Sequence, residues 1–206
     1  MKLPPQREIA RHPLANSPLD VFIAPGVYVL GNVRIGSNAV LMFGAVLRAE
    51  FDRIEIGRYT NVQDNAVVHA DIGHPCLIGE RVTVGHSAVV HGARIGNHCL
   101  VGLGARVLND AELGEGAWLG AGAVLSGGRS IPPWTLGVGM PARPIRDLSA
   151  QEIARQRRSI DDYQRIAPGY LAWYSRKERG DGPLVPGAGR DPKDATQGGD
   201  LPQDQQ

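Results

Sequence analysis

Three histidines, His69, His86 and His91, carry the chemistry most readily suggested by this sequence, because imidazole is a ligand for zinc and other divalent metals and their spacing is regular. His69 directly follows Val68 and His91 directly follows Val90, so the two stand 22 residues apart in matching contexts. Placed on neighbouring strands, two imidazoles can share one metal ion, since nitrogen–zinc bonds of about 2.0–2.1 Å need only a small convergence of side chains. Any one of the three taken alone reads as a surface histidine. Their meaning depends on the elements that hold them.

Those elements are short and repeated. An aliphatic residue falls at every sixth position from Ile95 through Val101, Val107, Leu113 and Leu119 to Leu125, with Gly96, Gly102, Gly114 and Gly120 directly behind. Ile78, Val84 and Val90 keep the same beat, as do Ile56, Val62 and Val68, and Val29, Ile35, Leu41 and Leu47, giving sixteen hexads with short phase slips between blocks. A short fixed period with small residues at fixed places is the mark of a solenoid, in which each repeat buries its apolar residue only by stacking on its neighbours. Six residues per flat side and three sides per turn predict an all-β fold, a parallel β-helix of about five coils. Its left hand is carried over from the known hexapeptide-repeat architecture, because ordinary crossover rules would favour the other.

On this lattice the aliphatic residue points inward and the next points outward. His69 and His91 then stack on successive coils roughly 4.8 Å apart. Four residues beyond three hexads separate Val68 from Val90, and they are assigned to a loop near 70–75. Arg48, one past Leu47, joins the same column. His86 falls around a corner, in the column of Asp64. It cannot easily meet the other two within one chain, whereas a threefold assembly would bring it from a neighbour, so the lattice predicts a homotrimer with metals at its interfaces.

From residue 12 to about 175 the chain resembles the γ-class carbonic anhydrases, above all their shorter bacterial and archaeal homologues. The carriers are Val46-Leu47-Arg48, Ile56-Gly57, Asn61-Val62-Gln63-Asp64-Asn65, His69, Val82-Thr83-Val84-Gly85-His86, His91-Gly92 and Gly139-Met140-Pro141-Ala142-Arg143. The resemblance implies that His69 and His91 of one subunit and His86 of the next hold the metal. It also implies that Gln63 lies beside the metal-bound water, and that Arg48 and Asp64 pair between subunits in an interface network with Asn61. Tyr163 matches a tyrosine that the family brings to its site from a C-terminal helix. The implied cofactor is Zn2+, with Fe2+ and Co2+ also suited to imidazole, and the implied reaction is reversible hydration of carbon dioxide to bicarbonate by a metal-bound hydroxide. One position departs: where the family reads Arg-Gly-Asp, this chain has Arg48-Ala49-Glu50, so Glu50 keeps the catalytic network's carboxylate on a longer side chain. The acidic loop that long family members use for moving protons is missing, since only Asp71 and His74 are titratable between 70 and 75. Two other functions fit the same lattice: hydrolysis of an acyl thioester at the same metal site, and a structural or regulatory subunit with a vestigial metal.

Composition narrows the partners. With 22 basic and 21 acidic residues in 206, a net charge of +1 argues against nucleic acid or an anionic membrane. Residues 1–24 form an extended segment with Pro4, Pro5, Pro13 and Pro18 and no long apolar run, which predicts neither a signal peptide nor a membrane span, and a cytoplasmic protein. The β-helix is placed at 25–140, a cap and helix at 141–178, and a disordered tail rich in Gly, Pro, Asp and Gln at 179–206. The hexads are read as stopping after Gly128, with Ile131-Pro132-Pro133-Trp134 opening an irregular cap. Ser149 and Glu152 make a capping box for a helix whose inward face carries Ile153, Ile160, Tyr163 and Ala167, interrupted at Pro168-Gly169. Cys76 and Cys99 fall on different columns and are expected to be free thiols.

Overall fold

The computed structural model describes residues 20–178, with side chains through Tyr170. The proposed tail and most of the N-terminal segment lie outside the described residues. Up to Ala167 the chain forms one compact unit, wound as a left-handed parallel β-helix of three flat faces. One face stacks Phe22–Ile23, Val40–Leu41, Asn61–Val62, Thr83–Val84, Leu100–Val101, Trp118–Leu119 and Thr135–Gly139. The second stacks the first halves of Tyr28–Ile35 and Val46–Ile56, then Val67–His69, Val89–His91, Arg106–Val107 and Val124–Leu125. The second halves of those long strands open the third face, which continues through Cys76–Ile78, Arg94–Ile95, Glu112–Leu113 and Ser130–Ile131.

Among the described residues, six rungs on the second and third faces make six coils rather than about five. The extra hexads are those of Ile23 and Ile131, which flank the sixteen and keep their beat. The repeats therefore run past Gly128. Pro132 and Pro133 occupy a turn after Ile131, so the ladder continues into Thr135–Gly139, and that strand folds back on Ala142–Asp147 as an antiparallel hairpin. The cap is thus a regular hairpin.

The core is the inward column itself. Leu41, Leu47, Val62, Val68, Val84, Val90, Val101, Val107, Leu113 and Leu119 are all fully buried, and each contributes about 1.5–3 kcal/mol by leaving water. Glycine behind the aliphatic residue lets the coils close. A Cβ on Gly85 would meet Val101 O at 2.8 Å. Two departures from the repeat open at one corner, between the second and third faces. Relative to the preceding strand, Glu50, Phe51 and Asp52 are three extra residues between Ala49 and Arg53, and residues 70–75 form a turn in which Asp71 bridges His74. That corner also carries His69 and His91.

Helix α1 spans Ala150–Glu178. Its start is the expected capping box: the Ser149 N–H donates to Glu152 Oε2 at 2.8 Å and the Glu152 N–H to Ser149 Oγ at 3.2 Å. Hydrogen bonds from Arg146 first, and then from the Ser149 N–H, lower the Glu152 carboxyl to about 2. Between Ser149 and Ala167 the helix follows the edge where the third face meets the first, since Gln156 donates to Cys99 O at 3.5 Å and Gln164 to Asn38 O at 2.7 Å. Contrary to the expected stop, the helix continues through Pro168 for 29 residues in all. A proline inside a helix lacks the N–H and crowds the carbonyl four residues back, so here the Gln164 carbonyl goes without its usual donor. Pro168 also opens the second compact unit. Among the described residues no helix is long and apolar enough to cross a membrane.

Both cysteines are buried and unpaired, and burial pushes each thiol up to about 12. The thiolate is the reactive form. A disulfide reagent at pH 8 should therefore leave Cys76 and Cys99 unmodified in the native protein and titrate both after unfolding; rapid native labelling would show that the core opens on its own.

Candidate metal centre

The register of the second face sets Arg48, His69 and His91 side by side on three successive coils. The imidazole centroids are 4.7 Å apart, which is the strand spacing, and His69 Nδ1 lies 2.8 Å from His91 Nε2. The other ring nitrogen of His91 meets Asn109 Oδ1, while Asn109 Nδ2 donates to Asp71 Oδ2 at 3.4 Å. The Ile72 N–H first, and the Asn109 amide after it, hold the Asp71 carboxyl below its ordinary range.

These contacts test whether the pair suits a metal ion. Asn109 Oδ1 can only accept, so His91 carries its proton on Nδ1 and a lone pair on Nε2. His69 Nδ1 must then donate to that lone pair, which leaves His69 Nε2 bare. This atom is buried, has no hydrogen-bond partner among the described residues, and faces Glu50 Oε2 at 3.6 Å. Burial first, then Arg48 and His91, lower the His69 pKa and favour its neutral form. A bare lone pair opposite a carboxylate oxygen is a place for a cation, and the residues fit one.

His86 stands at a different corner. Its Nδ1 lies 2.8 Å from Asp64 Oδ2, and its side chain remains 44% exposed. The Asp64 contact orients the ring with Nε2 outward. Gln63 is tied to the same corner: its Oε1 accepts from the His86 N–H at 3.1 Å and its Nε2 donates to Asn61 Oδ1 at 3.2 Å. Asn61 in turn donates to Thr83 Oγ1 at 2.9 Å. Gln63 and His86 are thus presented together, with one Gln63 amide proton uncommitted among these contacts.

Within one chain the structure joins His69, His91, Arg48 and Glu50 on one side, and His86, Asp64, Gln63 and Asn61 on another. Among the described residues, no three His, Cys, Asp or Glu side chains of one chain are arranged to hold a metal ion by themselves. Arg48 pairs with Glu50 and Asp64 with His86, so the Arg48–Asp64 pair is not formed inside the chain. The helix turn bearing Tyr163 follows the edge of Asn38 and Arg81, not the corner of His69. Asn109, absent from the sequence reading, joins the histidine corner. In the sequence it looks like an ordinary Asn-Asp turn, and only its place one coil beyond His91 marks it.

The faces differ in chemistry. Outward residues of the second face are Tyr28, Val46, Val67, Val89, Arg106 and Val124 in one column, five of them apolar or aromatic. Tyr28 is 70% exposed, and Leu103, one coil beyond His86, is 54% exposed. The outward column of the third face reads Arg34, Glu55, Leu77, Arg94, Glu112 and Ser130, as a solvated face should.

No family model matches the chain. It is 38% identical over 151 residues to a carbonic anhydrase of Geobacillus kaustophilus, covering 73% of this chain and 83% of that protein. It is 35% identical over 159 residues to the mitochondrial gamma carbonic anhydrase 1 of Arabidopsis thaliana, covering 74% of this chain but only 58% of the plant protein, so it spans little more than half the length of that relative. A hexapeptide transferase family protein from Anaplasma phagocytophilum superposes with a TM-score of 0.71 at 38% identity, over 74% of this chain and 90% of that one.

Proposed function

The chain belongs to the γ-carbonic anhydrase family, and on that premise we propose that it is a homotrimeric, metal-dependent hydratase converting carbon dioxide reversibly to bicarbonate. The observation that carries this reading is the divided donor set: His69 Nε2 is bare and buried opposite Glu50 at one corner, and His86 is held outward by Asp64 at another. Three copies packed corner to face would bring His86 of one subunit to His69 and His91 of the next, and the apolar column through Val67 and Val89 supports that packing.

His69, His91 and the neighbour's His86 would hold the ion, with Zn2+ the first choice and Fe2+ or Co2+ compatible with the same donors. When bound, such an ion supplies Lewis acidity and an acidified water for the hydration. The chain's own residues supply position. Asn61 and the His86 N–H fix the Gln63 side chain, so its remaining amide proton can orient an oxygen of the reacting species. Glu50, held by Arg48, places a carboxylate beside the ligand nitrogen, where it can accept a proton during turnover. Tyr163 would contribute only from a neighbouring subunit's helix.

Carbon dioxide hydration and acyl-thioester hydrolysis, measured on zinc-loaded and iron-loaded trimers, test the assignment. Hydration without thioester turnover is expected; thioester turnover alone would make the protein a hydrolase, and neither would make the site vestigial. In the same assay Glu50→Gln, which keeps the shape but removes the charge beside His69, should lower hydration about a hundredfold through lost proton acceptance. An unchanged rate would remove Glu50 from the reaction.

A further inference from the structure

The four residues that interrupt the repeat between His69 and Cys76 are explained by none of the roles assigned above. They fold back over the next two coils through two side-chain contacts: Asp71 accepts from Asn109, and His74 Nδ1 lies 2.8 Å from Asp110 Oδ1. Asn109 and Asp110 form the corner that follows Val107, one coil beyond His91. The space between is kept bare by Gly92, whose φ is +56°; a Cβ there would meet Asn109 Oδ1 at 2.6 Å and His74 Cβ at 2.8 Å. Only glycine lets the Asn109 carboxamide close onto the His91 ring.

We infer that Asp71 and Asn109 form a clamp that fixes the tautomer of the histidine pair, with Asn109 a positioning residue for metal capture. Asp71 can only accept, so the Asn109 amide nitrogen must face it and the amide oxygen must face His91. That oxygen holds the His91 proton on Nδ1 and directs the Nε2 lone pair at His69, whose own Nδ1–H answers it at 2.8 Å. His69 Nε2 is left bare toward Glu50. Without the Asn109 oxygen, His91 could take either tautomer, and a proton on Nε2 would close that nitrogen to a metal. Outer partners of this kind are commonly worth 10–100-fold in metal affinity. The loop that lacks an acidic proton-transfer cluster therefore has a separate task, which is to lock the ligands.

The inference rests on the proposed role of His69 and His91 as ligands, and its test separates the two. Zinc affinity would be measured by competition with a chromophoric chelator, and the His91 tautomer from imidazole nitrogen-15 shifts in the zinc-free trimer. Asn109→Leu should weaken zinc binding about 10–100-fold and abolish the single Nδ1–H tautomer. Asn109→Asp should also weaken it, by setting two carboxylates face to face. The exchanged pair Asp71→Asn with Asn109→Asp restores one amide and one carboxylate in reversed order, and the carboxylate still accepts from His91, so tautomer and affinity should return to near the wild-type values. A merely structural role would give no such rescue. Unchanged tautomer and zinc affinity in Asn109→Leu would overturn the clamp, as would an exchanged pair that melts like the wild type but binds zinc no better than Asn109→Asp. A wild-type trimer that takes up no zinc would instead defeat the ligand assignment, while the nitrogen-15 shifts would still decide the clamp.

Discussion

Val67→Asp should turn the proposed trimer into monomers at micromolar concentration and remove high-affinity metal binding in the same step. Val67 sits in the middle of the outward column of the second face, between Val46 and Val89. Its neighbours in that column are both valines, so an aspartate there would enter the proposed interface without a partner in the column. An unpaired buried charge costs about 3–5 kcal/mol, and each of three equivalent interfaces would carry one. At about 1.4 kcal/mol per factor of ten, one such charge weakens association by at least a hundredfold. Leu77→Asp, on the charged third face beside Arg94, should leave both trimer and metal intact. Light scattering with metal analysis reads both variants. A Val67→Asp protein that stays trimeric and fully loaded would mean that the subunits meet through another face.

Much of this face is legible in the sequence alone. Sixteen hexads were legible because each aliphatic residue must return to an inward column; Ile23 and Ile131 keep the same beat, but the first lies beside a proline-rich segment and the second beside Pro132-Pro133, which suggest ends of the repeat. The His69–His91 stack followed from counting, since a four-residue insertion that ends in register leaves the columns aligned. The same count puts Asp64 and His86 in one column, but not their contact within the chain, since the resemblance gives Asp64 to Arg48 of another subunit. What counting cannot supply is the direction of side chains where the repeat breaks. Glu50 lies in a three-residue insertion, and its approach to both Arg48 and His69 depends on how that insertion folds. Asn109 reads as turn chemistry, because nothing in its neighbours tells that residues 70–75 fold back over it. At Pro168 a local rule predicts a stop, whereas the helix loses one hydrogen bond there and continues.

The second large effect concerns the ligands themselves. His86→Ala should leave the trimer assembled, because His86 and Asp64 are both partly exposed and their contact adds little stability, yet it removes one of three donors and with it tight metal binding. The double variant His69→Ala with His91→Ala should fail equally, for the complementary reason. Each protein alone then holds half a site at every interface. Such a pair of cripples allows a test that does not depend on activity, because subunit exchange can rebuild the site from two defective parts only if the donors come from different chains.

The deciding measurement is the metal content of trimers refolded from an equal mixture of those two variants, after washing with chelator. If the site spans subunits, a site is whole wherever a His86→Ala subunit supplies the pair and the double variant supplies His86, which random assembly gives at about one quarter of interfaces. Zinc is expected at about that fraction of the wild-type content, with none in either variant alone. No zinc in verified mixed trimers would place all three histidines on one chain's site, or off the metal altogether, and contradict a site shared between subunits.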